Sequence, residues 1–258
     1  MKVIAYSFIL LFVLLSCKNE NAAKTIKESA LNVETKQASL NESMVLEMKL
    51  LSRPSENIEL KNLDFNNDVA TFFGNQEDSY IKIPEVNLDL SNPFNVSFSY
   101  NTNSEDGSKP QTFIAFVDKY SSPARTIPLY IYTAGKRITG VYGDQTLWAN
   151  NYDRTQGESK TYFDSYQLSA NEFYFISINF TGNTLEVYVN SELYTSFKNI
   201  NPHGLKFENV IIGSLTQGSD YVSPFKGMLY GLKIFNKSLS MAEIVEVYNA
   251  QPYVDAVN

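Results

Sequence analysis

A strict alternation of apolar and polar side chains constrains this chain more than any other feature. It is clearest over residues 94–100, where the apolar members are Phe94, Val96, Phe98 and Tyr100 and the polar members are Asn95, Ser97 and Ser99. Because successive side chains of a strand point to opposite faces, this segment predicts a strand with one face on a hydrophobic core. The period recurs in residues 176–180 and 184–190. The Gly182-Asn183 pair between them predicts a hairpin turn, because both residues tolerate positive φ.

Further short strands are predicted at regular intervals along the chain. They cover residues 111–117, 127–133, 137–142, 145–149, 210–213 and 228–235. Many short strands separated by Gly, Pro and Asn are typical of an antiparallel sandwich. No internal repeat of roughly 20 to 50 residues is present, which argues against a propeller or a solenoid.

One helix is predicted near the C-terminal end. Ser240 and Glu243 have the spacing of a capping box, in which each side chain binds the backbone amide of the other residue. Leu239 and Ile244 stand where a hydrophobic staple would pack. The sequence therefore predicts an all-β sandwich with a short helix lying on it.

The N-terminal residues resemble an export signal. Lys2 precedes an apolar run over residues 9–15, which is too short to span a bilayer. Residues 14–17 read Leu-Leu-Ser-Cys and resemble the lipobox of bacterial lipoproteins, which implies cleavage before Cys17 and its acylation. Cys17 is the only cysteine in the chain. The alternative is an ordinary signal peptide in which this cysteine is incidental.

The remaining chain divides into a tether and a domain. Residues 17–41 contain few apolar side chains, and a denser apolar run begins near residue 42, so we expect a flexible tether before a domain over residues 42–258. The formal net charge is −7, which argues against nucleic acid as a partner. We expect a protein exported to the bacterial cell envelope and held by lipid at a membrane surface, with the outer membrane favoured.

Four segments in order resemble the LamG, or laminin-G-like, jelly rolls of the concanavalin A-like lectin/glucanase superfamily. They are residues 80–84, 94–100, 185–193 and 225–248, and the resemblance covers about residues 60–248. It implies a two-sheet antiparallel jelly roll whose concave face or rim loops often bind glycans. Members also serve as adhesion modules and as accessory domains of carbohydrate-active enzymes.

Two positions depart from the family pattern. The Asp of the family's Gly-x-x-Asp segment commonly helps to hold a structural calcium, and here Tyr230 occupies that position. A phenol is a poor ligand for a hard cation, so this residue argues against the family's calcium site while calcium remains the one cofactor considered. Where many members turn with Asn-Gly, this chain has Asn190-Ser191, which suggests a slightly different hairpin.

Catalytic and metal-binding motifs are sparse. The Glu-x-Asp-x-x-Glu pattern of glucanases is absent, and Glu105-Asp106 lies in a polar segment typical of a solvated loop. His203 is the only histidine, which rules out a histidine-ligated metal cluster. Asp64, Asp68 and Asp78 are weak calcium candidates, and no other cofactor is expected.

Aromatic residues give the best candidates for a binding site. Over residues 127–133, Leu129 and Ile131 are expected to face the core, which leaves Tyr130 and Tyr132 on the opposite face. An aromatic ring can cover the apolar face of a sugar while polar groups bind its hydroxyls. The remaining candidates for the same surface are Tyr142, Trp148, Asn150 and Asp153. The alternative is that these large side chains simply cover the sandwich.

These patterns predict a non-catalytic carbohydrate-binding module with a glycan or a glycosylated surface as its partner. The alternative is a protein-adhesion or envelope-assembly module, which would expose a contiguous apolar patch. A glycoside hydrolase is the least favoured interpretation, since it needs two carboxylates facing each other across a cleft.

Overall fold

The computed structural model describes eleven parts of the chain: residues 40–47, 58–66, 69–74, 79–102, 110–117, 128–134, 137–142, 169, 171–198, 207–217 and 220–251. Met1–Ser43 and Met44–Asn258 form separate compact units, and the strands belong to the second. The strands are β1 (Met44–Glu47), β2 (Glu59–Lys61), β3 (Leu63–Asn66), β4 (Val69–Phe73), β5 (Tyr80–Pro84), β6 (Phe94–Thr102), β7 (Gln111–Val117), β8 (Leu129–Ala134), β9 (Arg137–Tyr142), β10 (Phe173–Phe180), β11 (Leu185–Val189), β12 (Glu192–Phe197), β13 (Asn209–Ile212), β14 (Leu215–Gln217), β15 (Asp220–Val222) and β16 (Lys226–Phe235). Helix α1 covers Met241–Asn249.

The strands form two large antiparallel sheets. The eight-stranded sheet has the order β12-β11-β10-β6-β16-β4-β3, and β1 also pairs with β16. The six-stranded sheet has the order β2-β5-β13-β7-β8-β9, and β14 and β15 form a separate hairpin. This architecture confirms the predicted all-β sandwich. Within the described ranges, no helix has the length and apolar character needed to cross a membrane.

The two sheets enclose one large hydrophobic core. Alternate residues of β6, from Phe94 to Tyr100, lie in it with almost no exposure. Phe113 of β7 lies at its centre, with its ring centroid 5.6 Å from that of Phe98, 4.3 Å from that of Tyr100 and 5.1 Å from that of Phe225. Aromatic pairs at these separations add to the stabilisation that burial provides.

Strand positions agree closely with the sequence pattern. β7 and β9 have the predicted bounds, and β8 begins two residues later than predicted. The segment 145–149 lies outside the described residues. The turn at Gly182 is a hairpin closed by a hydrogen bond from the Thr181 amide to the Thr184 carbonyl (2.9 Å), but only Gly182 has positive φ. The next hairpin along the chain joins β11 to β12, with both Asn190 and Ser191 at positive φ (49° and 64°).

Helix α1 begins with the predicted capping box. The Ser240 amide donates to Glu243 Oε2 at 2.7 Å, and the Glu243 amide donates to Ser240 Oγ at 3.4 Å. Leu239, Ile244 and Val247 are buried. The helix lies on the outer face of the eight-stranded sheet, the face opposite the core, where the rings of Tyr248 and Phe175 are 5.4 Å apart.

The outer face beneath this helix is polar yet buried. Asn95, Ser97 and Ser177 have no exposed surface and hydrogen-bond to one another, with the Asn95 amide 2.8 Å from Ser177 Oγ. Asn179 binds the chain just before the helix, because its side chain accepts from the Leu239 amide (2.7 Å) and donates to the Leu239 carbonyl (3.1 Å). Small polar side chains therefore support the helix here.

Candidate functional site

The candidate site lies on the outer face of the six-stranded sheet, the face opposite the core. As the alternation predicts, Leu129 and Ile131 of β8 are fully buried in the core. Tyr130 and Tyr132 lie on the opposite face, in a second apolar cluster. Strand β8 pairs with β7 on one side and with β9 on the other. Since β9 is at the edge of the sheet, the tyrosines lie one strand away from that edge.

The two tyrosine rings are stacked on each other. Their centroids are 4.3 Å apart and their planes differ by 12°. Tyr130 is buried, with 7% of its surface exposed, whereas Tyr132 is half-buried. Stacking on the buried Tyr130 thus restrains the orientation of the Tyr132 ring. A ring held in this way loses little conformational freedom on binding.

Polar contacts hold Tyr130 in place. Its hydroxyl is 3.1 Å from Oγ1 of Thr112, which has no exposed surface. Burial raises the pKa of the Tyr130 phenol above its ordinary value, outweighing the opposite effect of hydrogen bonds from Thr112 and Ser223. The phenol is therefore a neutral hydrogen-bonding group at physiological pH.

A buried apolar cluster packs beside the tyrosine pair. It contains Tyr80, Ala115, Val117, Ile211 and Leu215. Ala115 lies directly opposite Tyr130 in the β7–β8 pairing, and its small side chain leaves room for the tyrosine ring. Sequence reasoning missed Thr112 and this cluster. The available signal was the alternation of β7, where Ala115 and Val117 lie on one face while Ile114 and Phe116 lie on the other.

Tyr142 does not join Tyr130 and Tyr132, which corrects the grouping expected from sequence. It pairs with Leu129 and lies on the core side of the sheet. Its ring centroid is 5.5 Å from that of Phe94 and 5.0 Å from that of Phe180, and its hydroxyl donates to the Leu90 carbonyl at 2.5 Å. Burial, with a smaller contribution from the Asp89 charge, raises its phenol pKa. These contacts are those of a core residue.

Several predicted residues lie outside the described part of the chain. They are Cys17, Asp68, Asp78, Trp148, Asn150 and Asp153. Of the calcium candidates, only Asp64 is described, and it is exposed on β3. Among the described residues, no group of three or more Asp, Glu, His or Cys side chains has an arrangement that could hold a metal ion.

Tyr230, which replaces the family's Asp, has a packing role. Its ring meets that of Phe173 edge-on, with centroids 5.3 Å apart, and its hydroxyl is 3.0 Å from Met228 Sδ. Burial raises its phenol pKa. The side chain therefore provides an apolar contact where a carboxylate is usual.

The fold and the family model together identify the class of protein. A two-sheet antiparallel sandwich is the architecture described above, and a family model for the concanavalin A-like lectin/glucanases superfamily matches residues 74–245. This match covers more than half of the chain, and the chain therefore belongs to that superfamily. The LamG resemblance of the sequence is confirmed.

Solved structures show the same fold at low identity. The botulinum neurotoxin serotype D binding domain is similar with a TM-score of 0.58 and 17% identity, over 82% of this chain and 52% of that chain. A sialidase of Trypanosoma rangeli is similar with a TM-score of 0.55 and 10% identity, over 78% of this chain and 30% of that chain. The chain thus spans about half of the toxin domain and under a third of the sialidase. A search of curated proteins found no match.

Proposed function

We propose that this chain is a non-catalytic carbohydrate-binding module in which Tyr132 stacks on a sugar ring. The observation that carries the proposal is the tyrosine pair, because a buried tyrosine orients a half-buried one on a sheet face. Stacking against an aromatic ring suits the apolar face of a pyranose. Thr112 and the neutral Tyr130 phenol hydrogen-bond to each other, which supports the Tyr132 ring from below.

The proposal keeps Trp148, Asn150 and Asp153 as further candidate ligands, which follow β9 along the sequence within residues 143–153. A second ring and two polar side chains are the groups that sugar binding uses. The toxin neighbour is a binding domain and the other neighbour is a sialidase, so the experiments below test for both binding and hydrolysis.

The first experiment is a glycan array probed with the whole chain in detergent, with and without calcium. Tyr132→Ala is expected to weaken binding at least roughly tenfold, while Tyr132→Phe keeps the ring and most of the affinity. Phe73→Ala is a matched control, because Phe73 is an aromatic residue with 44% exposure on the other sheet.

Three results would count against the proposal. A folded chain that binds no glycan would favour the adhesion hypothesis. Unchanged binding by Tyr132→Ala would place the site elsewhere. Cleavage of a bound glycan during incubation would show a hydrolase.

We also propose that the protein is exported and anchored by lipid on Cys17, with the outer membrane as its location. The support is the sequence alone: an apolar run ending in Leu-Leu-Ser-Cys and no second cysteine. Acyl chains contribute about 0.8 kcal/mol for each buried CH₂ group. Cys17→Ser should therefore move the protein from the membrane fraction to the soluble fraction and abolish incorporation of labelled fatty acid. Unchanged labelling in this variant would overturn the proposal.

A further inference from the structure

The β14–β15 hairpin belongs to neither of the two large sheets. Within the described part of the chain its two strands pair only with each other, and β14 lies against β7 of the six-stranded sheet. A two-stranded hairpin is marginally stable by itself in water. The position of this hairpin therefore depends on its contacts with the sandwich.

The base of the hairpin is fixed on the sandwich at Gly213. Its amide donates to the Phe113 carbonyl at 3.0 Å, and its carbonyl accepts from the Phe225 amide at 2.7 Å. Gly213 has φ of 84°, and a Cβ atom there would overlap the ring of Phe72 in the core. Ser223, at the other end of the hairpin, also has positive φ (53°). The Gly213 end therefore stays attached to the sandwich, and any motion of the hairpin has its pivot there.

Beyond this base, Leu215 and Ser223 hold the hairpin on the outer face of the six-stranded sheet. Leu215 is 5% exposed and packs in the apolar cluster that contains Tyr130 and Ala115. The Ser223 carbonyl accepts a hydrogen bond from the Thr112 amide at 2.9 Å, and its side chain hydrogen-bonds to the Tyr130 phenol. Both ends of the hairpin therefore make contacts beside Tyr130.

We propose that β14, β15 and Ser223 form a flap that opens about Gly213 while both large sheets stay folded. Opening withdraws Leu215 and Ser223 from Tyr130 and exposes the apolar cluster on the outer face. Segments with few buried apolar contacts open before the rest of a domain, and Leu215 carries the contact of this hairpin with the cluster. Since Tyr132 stacks on Tyr130, the flap regulates the surface that holds Tyr132. This consequence rests on the function proposed above, whereas the opening itself does not.

Labelling of introduced thiols measures this opening without any ligand. The full chain carries Cys17→Ser, which removes its one natural thiol, together with either Ala115→Cys in the cluster or Ala70→Cys in the core between the sheets. Both alanines are completely buried. A thiol-reactive disulfide reagent should label Ala115→Cys at least roughly tenfold faster than Ala70→Cys, because only the second thiol needs global unfolding to react. Rates for the chains unfolded in urea correct for the reactivity of each thiol.

Two leucine substitutions decide whether the flap opens separately from the sandwich. Leu215→Ala removes the apolar contact that closes the flap, so it should speed labelling of Ala115→Cys at least roughly tenfold and leave Ala70→Cys unchanged. Leu185→Ala is the matched control, because Leu185 is 2% exposed and lies in the core on β11. It should speed labelling of Ala70→Cys, which reports on global unfolding, and leave Ala115→Cys unchanged.

Equal labelling rates at the two positions would overturn the proposal, since both thiols would then react only when the whole domain unfolds. Fast labelling of Ala115→Cys that does not respond to Leu215→Ala would also overturn it, because the opening would then belong to another segment. The expected rates in a chain that binds nothing on the glycan array would support the flap while the function proposed above fails. Array binding that depends on Tyr132, with equal labelling rates, would overturn the flap alone.

Discussion

Asn179 is the residue that fixes the start of the C-terminal helix on the sheet. Its side chain satisfies both the amide and the carbonyl of Leu239, and Asn179 itself is 1% exposed. Asn179→Ala leaves two buried backbone groups without partners, and each such group costs about 1–3 kcal/mol. We expect the free energy of unfolding, measured in urea, to fall by about 2 kcal/mol or more.

Asn183→Ala is the matched control for this prediction. Asn183 is an exposed asparagine in the hairpin between β10 and β11, where its side chain accepts a hydrogen bond from the neighbouring Thr184 hydroxyl. Its replacement should change stability by less than about 0.5 kcal/mol. Equal losses in the two variants would contradict the role assigned to Asn179.

Ser191 offers a substitution that should raise the stability of the protein instead of lowering it. It has φ of 64°, a region in which a side chain costs about 1–2 kcal/mol, whereas glycine adopts it freely. Because glycine also has more freedom in the unfolded chain, Ser191→Gly should stabilise the protein only modestly, by about 0.5 kcal/mol. Thermal unfolding measures this, with Ser196→Gly in the extended strand β12 as a control that should destabilise. A lower Tm for Ser191→Gly would contradict the strain argument.

Helix α1 is an element whose attachment depends on pH through Glu243. Burial opposes ionisation of this carboxylate, but hydrogen bonds from Lys237 and Ser240 outweigh it and lower its pKa below the ordinary value of 4.5. A lowered folded pKa gives stability that is present above the unfolded value and lost as pH falls through the folded one. The capping contribution should therefore persist at neutral pH and diminish as the pH falls below the ordinary pKa of 4.5 and through the lower pKa of the folded state.

The variant Glu243→Gln separates the contribution of the Glu243 carboxylate to stability from the contributions of the other carboxylates. The variant should be less stable than the parent chain at pH 7, and the difference should shrink as the pH of urea titrations is lowered from 6 to 3. The Lys237–Glu243 ion pair at 2.8 Å contributes to the same difference, so added salt should reduce it. A difference that stays constant with pH would contradict the argument.

Sequence patterns located the elements well, and failed where the answer depended on pairing between strands. Alternation correctly places Tyr130 and Tyr132 on one face of β8, because it depends only on the order of residues within that strand. The side on which Tyr142 lies depends on the β8–β9 register, which pairs it with Leu129. Ile138 lies in the core and has the same parity as Tyr142 on β9, and this was the local signal for the correct side.

Polar faces posed a related difficulty. Asn95, Ser97 and Ser99 have the pattern of a solvated strand face, yet all three are fully buried. Alternation distinguishes apolar from polar faces, but it does not show what lies over a polar one. The buried hydrogen bonds among these residues emerge only once strands and helix are placed together.

At the scale of the whole molecule, a shared aromatic core joins the two sheets. Phe113 belongs to the six-stranded sheet and packs against Phe98 and Tyr100 of the other sheet. It has no exposed surface, so Phe113→Ala removes a large side chain from the centre of the core. Such substitutions cost about 3–5 kcal/mol, which is a large part of the stability of a typical domain.

Because the lost contacts belong to both sheets, we expect them to unfold together rather than in sequence. Urea unfolding followed by tyrosine fluorescence and by far-ultraviolet circular dichroism should give coincident transitions, both shifted to lower urea in Phe113→Ala. Phe73→Ala is the matched control, since Phe73 is 44% exposed at the end of β4 and should change the midpoint little. Separate transitions for the two probes would mean that the two sheets do not unfold as one unit. Coincident transitions would mean that the outer face that carries Tyr132 depends on the core shared by both sheets.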